Sequence, residues 1–252
     1  GREIAHGATT ERSFAQVDVD AGLERSEAVL AARETHRDPV RHLDIVCGLA
    51  QKFGVPVDIH LHEPGELGLF SADLIVERTL ALGMQGQVLI SHGCALFDDP
   101  TRVDALLERL TEADIAIATV APGGKSRLPV DQLTAAGVRV GLGQDGQRDY
   151  WSPYGHGDML DRSWQLAFTM GHRADDLIEH MVAVATRGGR SIVEPRVPRL
   201  DAVSDRPGLQ VGDVADLLLL AGETVTSAVM DRPTGRTVLR AGRVVADQLE
   251  LV

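Results

Sequence analysis

Four short runs rich in Val, Ile and Leu recur along the middle of the chain, and each ends in side chains able to do chemistry. They are VDIHLHE at 57–63, QVLISH at 87–92, IAIATVA at 115–121 and VRVGLGQD at 138–145. Apolar runs of this length, bounded by turn residues, read as strands of a buried sheet. Between them, helical spacing predicts helices over about 71–83, 101–112 and 129–136, the last ended by Gly137. Upstream, Val40, Leu43, Val46, Leu49 and Phe53 predict a further helix closed by Gly54 and Pro56. Val17 and Val19 in FAQVDVD suggest a strand, followed by a helix over 21–36. Such alternation is the mark of an α/β fold with a parallel sheet covered by helices.

The polar strand ends are His60, His62 and Glu63, then His92, then Thr119, then Asp145. In a β/α barrel these ends converge on one face, where active sites sit. An open doubly wound sheet would also bring them to one edge, but a ring of ligands from successive strands favours the barrel. No Gly-rich phosphate loop is present, since APGGK lacks the spacing of either nucleotide fingerprint. From about 197 the texture changes: GLQVGDVADLLLL and SAVMDRPTGRTVLRAGRVVA are Gly-punctuated and strand-rich, without helix periods. This predicts a small β part over 197–252 after a barrel part over 1–196.

Side chains two apart on a strand share a face, so His60 and His62 can point at one centre, and Glu63 can turn toward it. Imidazole and carboxylate ligands with an open position suit catalytic zinc or a related divalent ion. Such an ion lowers the pKa of bound water to about 7, and a nearby carboxylate can carry the proton to a leaving amine. The bland alternative is a pair of hydrogen-bonded histidines at a strand end, which the further His92 and Asp145 on later strands outweigh.

Composition narrows the partners. The formal net charge is −12 and the arginines are scattered, which argues against nucleic acid and anionic membrane and leaves small molecules. No apolar run approaches the ~18 residues of a membrane span. Gly1-Arg2-Glu3 is a polar start without a leader pattern, and Cys47 and Cys94 fit no zinc or disulfide framework, so a cytoplasmic location is expected.

The stretches VDIHLHEPGELG, VLISHGCALFDD, VGLGQDGQRDYWSPYGHGDM and GLQVGDVADLLLL…VLRAGRVV resemble the amidohydrolase superfamily. Within it they resemble the group of cytosine deaminase and N-isopropylammelide isopropylaminohydrolase. The resemblance implies a (β/α)8 TIM-type barrel with a C-terminal β-sandwich part. It also implies a hydrolase releasing ammonia or an amine from a pyrimidine- or triazine-like heterocycle, by attack of metal-bound hydroxide on a ring C=N carbon. One divalent ion is implied, zinc foremost, with iron or manganese as alternatives. By position, His60 and Asp145 match metal ligands and His92 the histidine that contacts the hydroxide. Glu63 matches the acid/base glutamate of cytosine deaminase, although the isopropylammelide enzyme carries aspartate after its HxH. His62, Arg148 and Trp151 are implied in substrate binding, with Trp151 placed to stack on a heterocycle. Gly146 stands where the group often has a second acid, which argues against cytosine itself. A homo-oligomer is expected by analogy alone.

The superfamily also carries a first barrel strand ending in a metal-binding HxH, and third and fourth strands that would fall between THRD and PVRHLD; none is found in the sequence. About five barrel strands are therefore expected here rather than the usual eight, with two metal ligands instead of three or more. The rival expectations are a cyclic-amide hydrolase of the same superfamily and an inactive truncated barrel. Asp158 is expected to cap a helix beginning near Met159, and Cys94 to be a small buried residue.

Overall fold

A computed structural model of the chain describes residues 38–150, 153–194, 196–209 and 211–252. The strand expected near residue 17, the helix over 21–36 and the candidate Trp151 lie outside the described residues. Helix α1 (Pro39–Phe53) begins where the side chain of Asp38 accepts from the N–H of Arg41 at 3.0 Å, with Pro at the first helical position. It ends at Gly54, which holds the left-handed conformation that terminates many helices.

Three β/α units and a fourth strand follow: β1 (Val57–Leu61), α2 (Gly65–Ala81), β2 (Val88–His92), α3 (Val103–Glu112), β3 (Ala116–Thr119), α4 (Val130–Ala135) and β4 (Val140–Leu142). The strands pair in parallel in the order β1-β2-β3-β4, which is chain order. Consecutive parallel strands with helices between them form an arc of a β/α barrel, and among the described residues the arc does not close. Helix α2 starts six residues before the position expected from its periodicity. Gly65 and Gly68 dilute the helical signal there, and Gly68 is needed because it packs on the backbone carbonyl of Glu63.

The register sorts the side chains into two faces. Ile59, Leu61, Ile90, Ile117 and Val140 face the helices and join the main core with Leu74, Ile75, Leu110 and Leu133. Asp58, His60, Ser91, Ala118 and Gly141 share the other face, where Ser91 Oγ donates to Asp58 Oδ1 at 2.7 Å. Onto this second face packs α7 (Gly189–Val193), which follows α5 (Met159–Met170), α6 (Asp175–Ala183) and a π-helical turn over Val184–Gly188. A Cβ on Gly141 would lie 2.7 Å from Ile192 Cδ1 and 3.0 Å from Gly189 Cα, so glycine there is required by the approach of α7.

The C-terminal segment, expected to be a β-sandwich part, contributes one antiparallel sheet among the described residues. Its strands are β5 (Leu217–Leu220), β6 (Arg236–Arg240), β7 (Arg243–Asp247) and β8 (Glu250–Leu251), in that order. Between β5 and β6 lies a helix the sequence reading did not expect, α8 (Val225–Asp231). Val225, Thr226 and Val229 are poor helix formers. A capping box between Thr224 and Ser227, together with burial of Ala228 and Val229, decides in favour of the helix. Among the described residues no helix is long and apolar enough to cross a membrane.

Candidate metal centre

His60, His92 and Asp145 come from the carboxyl ends of β1, β2 and β4, and one ligand atom of each lies within 4.8 Å of the others. Alternation along β2 would turn His92 away from the face shared by Ser91 and His60. Instead His92 adopts φ 74 and the next residue, Gly93, φ 62, which re-aims the imidazole at the strand end. Asp145 is likewise left-handed, at φ 58. Positive φ is uncommon outside glycine, though His and Asp tolerate it better than most residues. Two strained donors at one site indicate that the surroundings hold them there.

His92 Nε2 lies 3.7 Å from Asp145 Oδ2. Burial pushes the pKa of His92 down to about 4, helped by the neighbouring His62 and His60 and opposed by Asp145. Its imidazole is thus neutral at neutral pH, and the contact with Asp145 is not an ion pair. A neutral imidazole offers a lone pair, which is what a metal requires of histidine. Two imidazoles and one carboxylate match the donor sets of catalytic zinc sites, so the residues present fit a divalent ion. The resemblance counted His60 and Asp145 as donors and gave His92 to the hydroxide; the fold brings a candidate ligand atom of all three within 4.8 Å.

His62 and Glu63 follow β1 directly. The His62 ring lies 4.2 Å from that of His92 and 6.3 Å from that of His60, centroid to centroid. Glu63 is exposed, and its Oε2 accepts from the His62 N–H at 3.2 Å. Arg148 is exposed at φ 53, with its N–H donating to the carbonyl of Tyr154 at 3.0 Å; it belongs to the loop after Asp145 and not to the donor cluster. Thr119 is buried, and its Oγ1 accepts from the Ala121 N–H at 3.1 Å, which stiffens the end of β3. Cys94 is buried beside His92 and burial raises its thiol pKa, against a smaller lowering by its bond with Thr119, as befits a packed residue. Asp158 caps α5 as expected, accepting from Leu160 and Asp161.

Sequence reasoning missed Arg162, Gln144 and Arg236. Arg162 Nη2 donates to Gln144 Oε1 at 3.0 Å and its Nη1 to the Val120 carbonyl at 3.1 Å, joining the loops after β4 and β3. Burial lowers the Arg162 pKa, opposed by the charges of Asp161 and Asp145. A cavity of about 250 Å3, lined by Pro56, Gln87, Leu89, Ala116, Arg139 and Ile192, lies at the opposite, amino ends of the strands.

Residues 7–246 match the amidohydrolase family. The chain belongs to that family. A crystal structure of N-isopropylammelide isopropylaminohydrolase from Burkholderia multivorans superposes with a TM-score of 0.83 at 34% identity, covering 100% of this chain and 74% of that one. Among curated relatives, N-isopropylammelide isopropyl amidohydrolase of Pseudomonas sp. (strain ADP) is 27% identical over 207 residues, 81% of this chain and 49% of its own length. Pterin deaminase of Rhizobium rhizogenes is 25% identical over 219 residues, 81% of this chain and 48% of its own. The amidohydrolase chain thus spans about half the length of these two relatives.

Proposed function

We propose that this amidohydrolase uses one divalent ion, zinc foremost, to release ammonia or an amine from a pyrimidine- or triazine-like heterocycle. The observation that carries the reading is the convergence of His60, His92 and Asp145 within 4.8 Å at the carboxyl ends of parallel strands. Similarity to enzymes named for isopropylammelide and pterin supports the heterocyclic substrate.

In this reading His60, His92 and Asp145 hold the ion. When bound, it supplies Lewis acidity that makes water a nucleophile near neutral pH. The rest falls to the side chains. Water adds to the ring carbon of a C=N bond, and the carbon–nitrogen bond to the leaving amine breaks, leaving a ring carbonyl. Glu63, exposed beside the site, takes one proton from water and gives it to the ring nitrogen as C=N opens, then carries the hydroxyl proton of the adduct to the departing nitrogen as the carbonyl forms. His62, its ring 4.2 Å from that of His92, binds a polar edge of the heterocycle. Arg148 and Trp151, which follow Asp145 in sequence, contribute to the substrate side of the site.

Amine release from N-isopropylammelide, pterin and cytosine by the metal-loaded full chain tests this. Release that is abolished by a chelator and by Glu63→Gln is expected. A chain that binds metal and instead opens cyclic amides, or turns over neither class, would overturn the reading.

A further inference from the structure

Asp145 is held by a clamp built from α5. Arg162, four residues after the cap residue Asp158, spends one guanidinium nitrogen on the Val120 carbonyl at the end of β3. The other reaches Gln144 Oε1 at 3.0 Å, on the residue immediately before Asp145. The same Gln144 amide donates from its nitrogen to the Asp158 carbonyl at 3.2 Å, so both ends of the group are engaged. One turn along α5, Gln165 accepts from Arg162 Nη1 at 3.1 Å and donates to the Ala121 carbonyl at 2.7 Å, adding a second tie to the end of β3.

The loop then closes over the clamp. Gly155 holds φ 83, and a Cβ there would lie 2.5 Å from the Gly146 carbonyl oxygen and 3.4 Å from Arg162 Nη2. Gln144 is therefore held by hydrogen bonds, and Gly146 is closely approached by Gly155, so both neighbours of Asp145 meet groups outside the metal donors. That is the kind of over-determined setting an L-residue needs to keep a left-handed conformation. A half-buried arginine whose Nε finds no acceptor among the described residues is a costly way to hold a loop together.

We propose that Arg162 is a positioning residue for the metal centre, fixing through Gln144 and Val120 the turn that aims Asp145 at His60 and His92. The inference rests on the reading of those three residues as metal donors. Outer groups that orient donors are commonly worth 10- to 100-fold in metal affinity, and about tenfold or more is expected here.

The test is zinc affinity of the purified full chain, measured by competition with a chromophoric chelator, beside the visible spectrum of the cobalt form and melting of the metal-free protein. Arg162→Met and Gln144→Leu should each weaken zinc binding about tenfold or more and alter the cobalt spectrum, and the double variant should lose less than the two losses combined. Arg162→Lys should fall between, since an ammonium supplies charge without the planar fork. Should Arg162→Met fail to fold, Gln144→Leu carries the same expectation. Folded variants with wild-type affinity and spectrum, or losses that simply add, would overturn the proposal. Asp145→Asn is the control: if it too leaves zinc affinity unchanged, the donor reading itself fails, whereas a loss there with none in Arg162→Met refutes the clamp alone.

Discussion

Arg236 and Asp158 meet as a bidentate pair, Nη1 to Oδ1 at 2.8 Å and Nη2 to Oδ2 at 2.9 Å, with side-chain exposures of 2% and 7%. Asp158 is also the N-cap of α5, so a single carboxylate joins the C-terminal sheet, through β6, to the helix that carries Arg162. The tail is thereby fastened to the element that supports the loop of Asp145.

Removing one partner of a buried pair strands the other charge, which typically costs about 3–5 kcal/mol. Arg236→Met should therefore lower the unfolding free energy by roughly that amount in urea. Asp158→Asn keeps a capping side chain, so its loss isolates the pair from the cap.

The same pair sets a pH dependence. Burial pushes the Asp158 carboxyl up, but its bonds and charge contact with Arg236 and the Leu160 and Asp161 N–H groups hold it below the usual value. A folded pKa below the unfolded one of about 3.9 contributes stability above that value, and the contribution is lost as pH falls through the folded pKa. Urea midpoints measured downward from pH 6 should fall below about pH 4 in the wild type, and the fall should be shallower in Asp158→Asn.

Glu63 and His60 should separate chemistry from metal binding. Glu63→Gln is expected to keep the metal and lose about 10²- to 10⁴-fold in turnover, the usual worth of a general acid–base group. His60→Ala should lose the metal itself. Metal content and amine release measured on the same samples check both.

Gly141→Ala should destabilise by about 1–3 kcal/mol, since the new methyl would meet both Ile192 and the backbone of Gly189. Ile192→Ala in that background relieves only the side-chain clash, so urea unfolding should show partial recovery.

The strands were legible because short Val- and Ile-rich runs bounded by turn residues admit few other readings, and β1 to β4 fall within the expected stretches. Helices were less so where glycine or β-branched residues mask the period, as at Gly65 and Gly68 of α2 and Val225, Thr226 and Val229 of α8. At the site, His60 and Asp145 could be read from their places at strand ends and from the resemblance. His92 was legible there too, but not its approach to the other two, which depends on a left-handed φ that strand alternation argues against. Arg162, Gln144 and Arg236 gave no local signal, since the contacts Arg162–Gln144, Arg162–Val120 and Arg236–Asp158 span 18, 42 and 78 residues of sequence.

Zinc K-edge X-ray absorption on the one-to-one zinc complex of the full chain tests the donor set most directly. Two imidazoles with oxygen completing the shell are expected, falling to one imidazole in His92→Ala. A shell of oxygen alone, a sulfur neighbour, or a spectrum unchanged by His92→Ala would contradict the metal centre described by His60, His92 and Asp145.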